Sequence, residues 1–104
     1  MEISYKLLLT NDAAHDLEEI IDYYENVRKG LGKDFYLSYK KAEELIESNP
    51  KIYACIEGEV RRALTNKFRY SIFYHIIENQ KVVEVFGIIH TSRDPKYWKK
   101  RIKL

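Results

Sequence analysis

The chain predicts an α+β fold in which an α-helical hairpin packs on one face of a mostly antiparallel β-sheet, in the order β-α-α-β-β-β. Three observations carry that expectation. Apolar residues recur at helical spacing in two segments between residues 11 and 48. They alternate with polar residues at period two on either side of that region, and helices and strands are grouped rather than interleaved. With 104 residues, 45% hydrophobic and 33% charged, and only four glycines and two prolines, the composition is that of one ordinary globular domain over residues 1–104. A chain of this length can bury roughly 60–70% of its unfolded surface without staples.

The first strand is read from Ile3, Tyr5, Leu7 and Leu9, which alternate with more polar neighbours and so present one buried face. Asn11 or Asp12 can cap a helix whose apolar stripe is Ala13, Ala14, Leu17, Ile20, Ile21, Tyr24 and Val27, with Asp16, Glu18 and Glu19 near its positive end. Arg28 and Lys29 suit its negative end, and Gly30 or Gly32 supplies the left-handed residue that reverses the chain. A second helix is expected from about Lys33 to Ser48, with Phe35, Tyr39, Ala42, Leu45 and Ile46 on one stripe. Asn49-Pro50 ends it, because proline disfavours helix in the residue before it. Beyond Tyr53 the period is two: Val60 to Leu64, a turn at Thr65-Asn66-Lys67, then Phe68, Tyr70, Ile72, Tyr74 and Ile76 on one face of a long strand. Glu78-Asn79-Gln80 reads as a hairpin loop into Lys81–Ile89, apolar on both faces and therefore central. With the hairpin on one side, the other face of the sheet is left partly free.

Charge is polarised along the chain. Residues 1–50 carry 6 Lys/Arg against 11 Asp/Glu, whereas residues 51–104 carry 12 against 5. The second half should build a basic surface that attracts phosphate or an acidic partner, unless the imbalance is only an uneven solvated surface. The N-terminus lacks a secretory signal pattern and no apolar run approaches a membrane span, so a cytoplasmic location away from the membrane is expected. Cys55 is the sole cysteine and reads as a small half-buried apolar residue. His15, His75, His90 and Cys55 show no close ligand spacing, and glycine-rich phosphate loops and nucleophile elbows are absent, so neither metal nor organic cofactor is expected. Most of the nine tyrosines, among them Tyr5, Tyr24, Tyr39, Tyr70 and Tyr74, fall on apolar stripes and read as core.

Two groups of residues can carry chemistry. Arg61 and Arg62 point to opposite sides of one strand and Arg69 opens the next; an arginine fork on an open sheet face can hold phosphate, though each can equally be a solvated or salt-bridged sheet residue. The segment from His90 to Trp98 follows the last strand, where a rigid scaffold presents loop side chains. There His90 can exchange protons, Arg93 can bind an anion, and Tyr97 or Trp98 can stack on a base. On the structural alternative, Asp94-Pro95 fixes a turn, Trp98 seals the core edge and His90 only bonds the turn. Lys99, Lys100, Arg101 and Lys103 form a basic tail that can reach nucleic acid or a protein partner, or can be a solvated end.

Taken together, Ala14-His15-Asp16-Leu17-Glu18-Glu19-Ile20 with Tyr23-Tyr24, Asn49-Pro50 before Tyr53, Val60-Arg61-Arg62, Phe68 to Tyr74, and His90-x-x-Arg93-x-Pro95-x-x-Trp98 resemble the RelE/ParE toxins over nearly the whole chain. The resemblance implies a helical hairpin on an antiparallel sheet and a growth-inhibiting toxin. It also implies a cognate antitoxin encoded beside it that wraps the toxin with an extended or helical segment. Within the family, RelE-like members cut mRNA on the ribosome and ParE-like members inhibit DNA gyrase; the ending around His90 and Trp98 is nearer the ParE-like branch. A metal-independent, RelE-like endoribonuclease would use Arg61, Arg69 and His90 catalytically. A ParE-like inhibitor would use Arg62, Arg93, Tyr97, Trp98, Lys99, Lys100 and Arg101 as contacts to its target. A homodimer and a non-toxic protein-binding module are the remaining alternatives.

Overall fold

The computed structural model describes residues 4–102, so Ile3 and Lys103 lie outside the described residues. The grouped periodicities become β1 (Lys6–Leu9), α1 (Asn11–Val27), α2 (Leu31–Ser48), β2 (Cys55–Glu57), β3 (Val60–Leu64), β4 (Tyr70–Ile77), β5 (Val82–His90) and α3 (Lys96–Lys99). The sheet runs β1-β5-β4-β3-β2; β1 is parallel to β5 and every other pair is antiparallel. The expected fold class holds, with two short additions, the edge strand β2 and the terminal helix α3.

Leu7 and Leu9 of β1 turn half-buried towards the helices while Lys6 and Leu8 face outward, as the alternation requires. The cap of α1 is neither Asn11 nor Asp12 but Thr10, whose Oγ1 accepts the Ala13 N–H at 3.1 Å. The reason is positional: the Thr10 N–H still bonds the Val85 carbonyl (2.9 Å), so the helix begins directly where strand pairing ends. Ala13 and Ile20 are buried and Leu17, Ile21 and Tyr24 pack against the same core, but Ala14 and Val27 of the expected stripe are exposed.

Gly30, at φ 91°, is the left-handed residue of the helical hairpin. Lacking a side chain, it cannot cap α2; the Glu25 carboxylate does so from α1, accepting the N–H groups of Gly30 (3.0 Å) and Gly32 (3.1 Å). Gly32 serves close packing instead, since a Cβ there would lie 2.6 Å from the Ile21 carbonyl oxygen. Phe35, Tyr39, Ala42 and Ile46 of α2 are buried, whereas Leu45, also expected on the stripe, is exposed because it sits one residue, about 100°, round the helix from Ile46. Asn49 caps the C-terminus, and the Pro50 carbonyl accepts the buried Tyr74 hydroxyl at 2.6 Å. Burial pushes that hydroxyl up to about 12.

The helical hairpin covers Ala63, Ile72, Tyr74, Val83, Val85 and Ile88. On the opposite face, Val60, Phe73 and Phe86 form a second core closed by Trp98, so α3 covers part of the face that the sequence leaves partly free. Cys55 is exposed on β2 rather than half-buried, because a three-residue edge strand has nothing outside it to cover its side chains.

Between β4 and β5 the chain makes one 3₁₀ turn, Glu78–Gln80, and returns through Lys81 at φ 54°. The Glu78 carboxylate accepts from Lys81 (2.6 Å) and Tyr5 (2.8 Å) and pairs with Lys51 (3.4 Å), which lowers its pKa from 4.5 to about 2, Lys81 contributing most. A carboxyl depressed on folding stabilises the fold above its unfolded value. Its contribution is therefore complete above about pH 4.5 and is lost as pH falls towards 2. Denaturant unfolding of Glu78→Gln should differ from the parent at pH 6 and converge on it near pH 2; a constant difference across that window would contradict the assignment.

Candidate target-binding site

The β5 strand ends at His90, paired with Tyr70, and the next N–H, of Thr91, donates to the Arg69 carbonyl at 2.9 Å. The chain then turns back on itself. The Arg93 N–H returns to the His90 carbonyl (3.0 Å), and Asp94 Oδ1 accepts the Lys96 N–H (2.9 Å) to start α3 after Pro95. His90 Nδ1 accepts the Ser92 N–H at 3.1 Å. A backbone N–H only donates, so the ring holds its proton on Nε2. The imidazole packs edge-on to Tyr70, with centroids 5.0 Å apart.

Arg93 lies over the Tyr97 ring, 5.0 Å from its centroid, and donates to its hydroxyl at 3.3 Å. With His90 and Tyr70, these two border a cleft of about 880 Å³ whose far wall is Tyr23 and Tyr24 of α1. Burial and the Tyr24 hydroxyl keep the Tyr70 hydroxyl protonated well above its ordinary range. Tyr23 and Tyr97 remain more than half exposed. The result is a mixed aromatic and cationic surface, suited to contacts in which a flat ring stacks and a guanidinium meets an anion. Tyr23 belongs to this surface; in the sequence it enters only through the Tyr23-Tyr24 pair of the family resemblance and not as a candidate site residue.

Of the three arginines of the hairpin region, Arg69 lies at this end of the sheet and Arg61 and Arg62 do not. Arg61 points to the helix side and donates to the Tyr53 carbonyl at 2.6 Å, pinning the connection from α2 to β2. It is paired with Tyr74, four residues along β4 from the partner of His90, a separation of about 13 Å. Arg69 sits in the left-handed region at φ 61° beside the end of β5. Arg62 is exposed on the opposite sheet face, beside Phe73. Of the catalytic trio, Arg69 and His90 adjoin at the end of the β4–β5 pair, whereas Arg61 lies apart from both.

Three residues of the terminal segment have work inside the molecule. Trp98 is buried, stacked on Phe73 with centroids 4.9 Å apart and planes at 20°. Lys99 pairs with Glu57 at 3.3 Å. Arg101 grips Asp16 of α1 through Nη1 (2.5 Å) and Nη2 (3.0 Å) and donates to the Phe86 carbonyl (3.1 Å). Asp16 also accepts the Ile88 N–H at 3.0 Å, satisfying the edge of β5 beyond the last residue of β1. Lys100 is exposed. Among the described residues, no cluster of three or more His, Cys, Asp or Glu is placed to hold a metal, and no helix is long and apolar enough to cross a membrane.

Comparison with known proteins gives a family match over residues 7–95, to the ParE toxin of type II toxin-antitoxin system, parDE. No curated protein is significantly similar in sequence. Among solved structures, a chain of the chromosomal ParDE toxin–antitoxin system from P. aeruginosa is similar with a TM-score of 0.72 at 17% identity, covering 83% of this chain and 95% of that one. A chain of the intact RelBE toxin–antitoxin complex from E. coli gives 0.66 at 17% identity, with 86% and 99% covered. One from a Mycobacterium tuberculosis RelBE complex gives 0.62 at 13%, with 85% and 99% covered.

Proposed function

From the chain's membership of the ParE toxin family of type II toxin–antitoxin systems, we propose that it arrests bacterial growth by binding DNA gyrase, and that a cognate antitoxin neutralises it. The single observation that supports the gyrase reading is the separation of Arg61 from His90 and Arg69. General acid–base cleavage of RNA needs its proton-transfer and phosphate-binding groups around one scissile bond. Here Arg61 is spent on a backbone carbonyl and lies about 13 Å along the sheet from His90. An inhibitor that works by binding needs only a surface, and the exposed set of Tyr23, Arg93 and Tyr97 beside His90 supplies one.

The test is a DNA cleavage assay with purified gyrase, ATP and supercoiled plasmid. The reading predicts accumulation of gyrase-linked linear DNA as the protein is added. Intact plasmid, together with cutting of mRNA on programmed ribosomes, would overturn it in favour of a RelE-like nuclease.

Arg93→Glu tests the surface itself. Reversing a central interface charge typically costs more than about 1.4 kcal/mol, a factor of ten. Inhibition of gyrase should weaken at least about tenfold while the circular dichroism spectrum and melting temperature stay near those of the parent. Unchanged inhibition would move the contact surface elsewhere.

A further inference from the structure

β5 carries a bulge: Phe73 pairs with Gly87 and Tyr74 with Val85, leaving Phe86 as the extra residue. The N–H and C=O of one strand residue share a side, and the side alternates along the chain, so the bulge changes which residues face the outer edge. Before it Val85 faces that edge, its carbonyl accepting the Thr10 N–H at 2.9 Å. Beyond it the even-numbered residues do: the Phe86 carbonyl accepts from Arg101 (3.1 Å) and the Ile88 N–H donates to Asp16 (3.0 Å). Tyr70, opposite His90, turns both its main-chain groups away to Thr65, its N–H donating to Oγ1 at 3.0 Å and its carbonyl accepting the Thr65 N–H at 2.9 Å. The edge of β5 therefore ends in one open pair, the Ile88 C=O and the His90 N–H, neither with a partner among the described residues.

A C=O and an N–H two residues apart on a strand edge are the two groups that one residue of a parallel strand bonds at once, through its own N–H and C=O. Antiparallel addition is blocked, because it needs both groups of one residue: the Ile88 N–H belongs to Asp16 and the His90 carbonyl to the Arg93 N–H. A DNA phosphate offers acceptors only and would leave the Ile88 carbonyl unmatched. The open pair lies in the target-binding cleft, which Ile88 and His90 line. Of the charged groups on its walls, Asp16 holds Arg101 and Glu19 meets His15 at 2.9 Å, whereas Arg93 has no carboxylate partner among the described residues. From this we infer that the target enters the cleft as an extended acidic polypeptide segment, which adds beside β5 in the direction of β1 and places a carboxylate on Arg93. The inference rests on the reading that gyrase is the target; the direction and charge of the segment are read from the strand edge and the cleft alone.

The experiment follows hydrogen–deuterium exchange, resolved to single amides, in the full chain alone, with saturating DNA-free gyrase, and with a single-stranded oligothymidylate. The His90 amide should exchange freely in the chain alone and at least about tenfold more slowly with gyrase, while the Ile88 amide, already bonded to Asp16, changes less. Raising salt from about 0.1 to 0.5 M should weaken inhibition of gyrase by the parent more than by Arg93→Gln, because only the parent presents the guanidinium. Gyrase bound while the His90 amide exchanges as in the free chain would overturn the strand addition and leave the gyrase reading standing. Slowing by the oligothymidylate alone would also overturn it, giving the cleft to nucleic acid. Equal salt dependence of parent and variant would remove the carboxylate from the contact and overturn the acidic segment. No binding of gyrase to the parent would overturn both the segment and the gyrase reading.

Discussion

Trp98→Ala is expected to destabilise the protein by about 3 kcal/mol, the low end of what buried tryptophan truncation costs, because the residue seals an edge rather than a centre. The indole stacks on Phe73 and completes a cluster with Val60 and Phe86, and it is the buried residue of a four-residue helix. Such a helix is far too short to persist on its own, so its place on the sheet depends on that side chain. For a chain of this size 1 kcal/mol moves the melting temperature by roughly 4–8 °C, so a fall of more than about 12 °C is predicted, and Trp98→Phe should recover part of it. Tyr97 is the preceding residue, and Arg93 stacks on it. Loss of the anchor should therefore weaken target binding as well as the fold. A melting temperature within a degree or two of the parent would show that α3 is not held by Trp98.

Asp16→Ala should cost a similar amount for a different reason. One carboxylate serves the N–H of Ile88 and both terminal nitrogens of Arg101, and its side chain is only 13% exposed against 25% for the guanidinium. Removing it leaves a half-buried cation and a strand-edge N–H without their acceptor. Breaking a buried pair in this way costs about 3–5 kcal/mol, and the remaining Phe86 carbonyl and partial hydration of Arg101 place this case near about 3. Removing both charges is milder. Asp16→Leu with Arg101→Met should be clearly more stable than Asp16→Ala, and a double-mutant cycle in denaturant should show coupling above about 1 kcal/mol. Additive single effects would contradict the clasp.

Elements with a strong period were legible in the sequence because their pattern repeats over many residues: the two helices, the stop at Asn49-Pro50, and the three strands from Val60 to His90. The short pieces were not. β2 offers three residues and α3 four, too few for any period to stand out. The position of the α1 cap was ambiguous among adjoining residues that all cap well, and only the Thr10 bond to Val85 decides it. Leu45 and Val27 lie near enough to their stripes to match the pattern, yet both end on the outer rim of the hairpin. At the site, His90, Arg93 and Tyr97 are close in sequence and meet in space. The internal roles of Asp16 and Arg101 were out of reach, since 85 residues separate them and each reads locally as an ordinary helix acid and an ordinary tail base.

The measurement that bears most directly on the account is pulse-labelling after the protein is induced alone in a bacterial host, with thymidine and methionine incorporation followed from the moment growth slows. Thymidine incorporation should fall first, with induction of the SOS response and mRNA intact. Methionine incorporation falling first, with cleaved mRNA and undamaged DNA, would contradict the account.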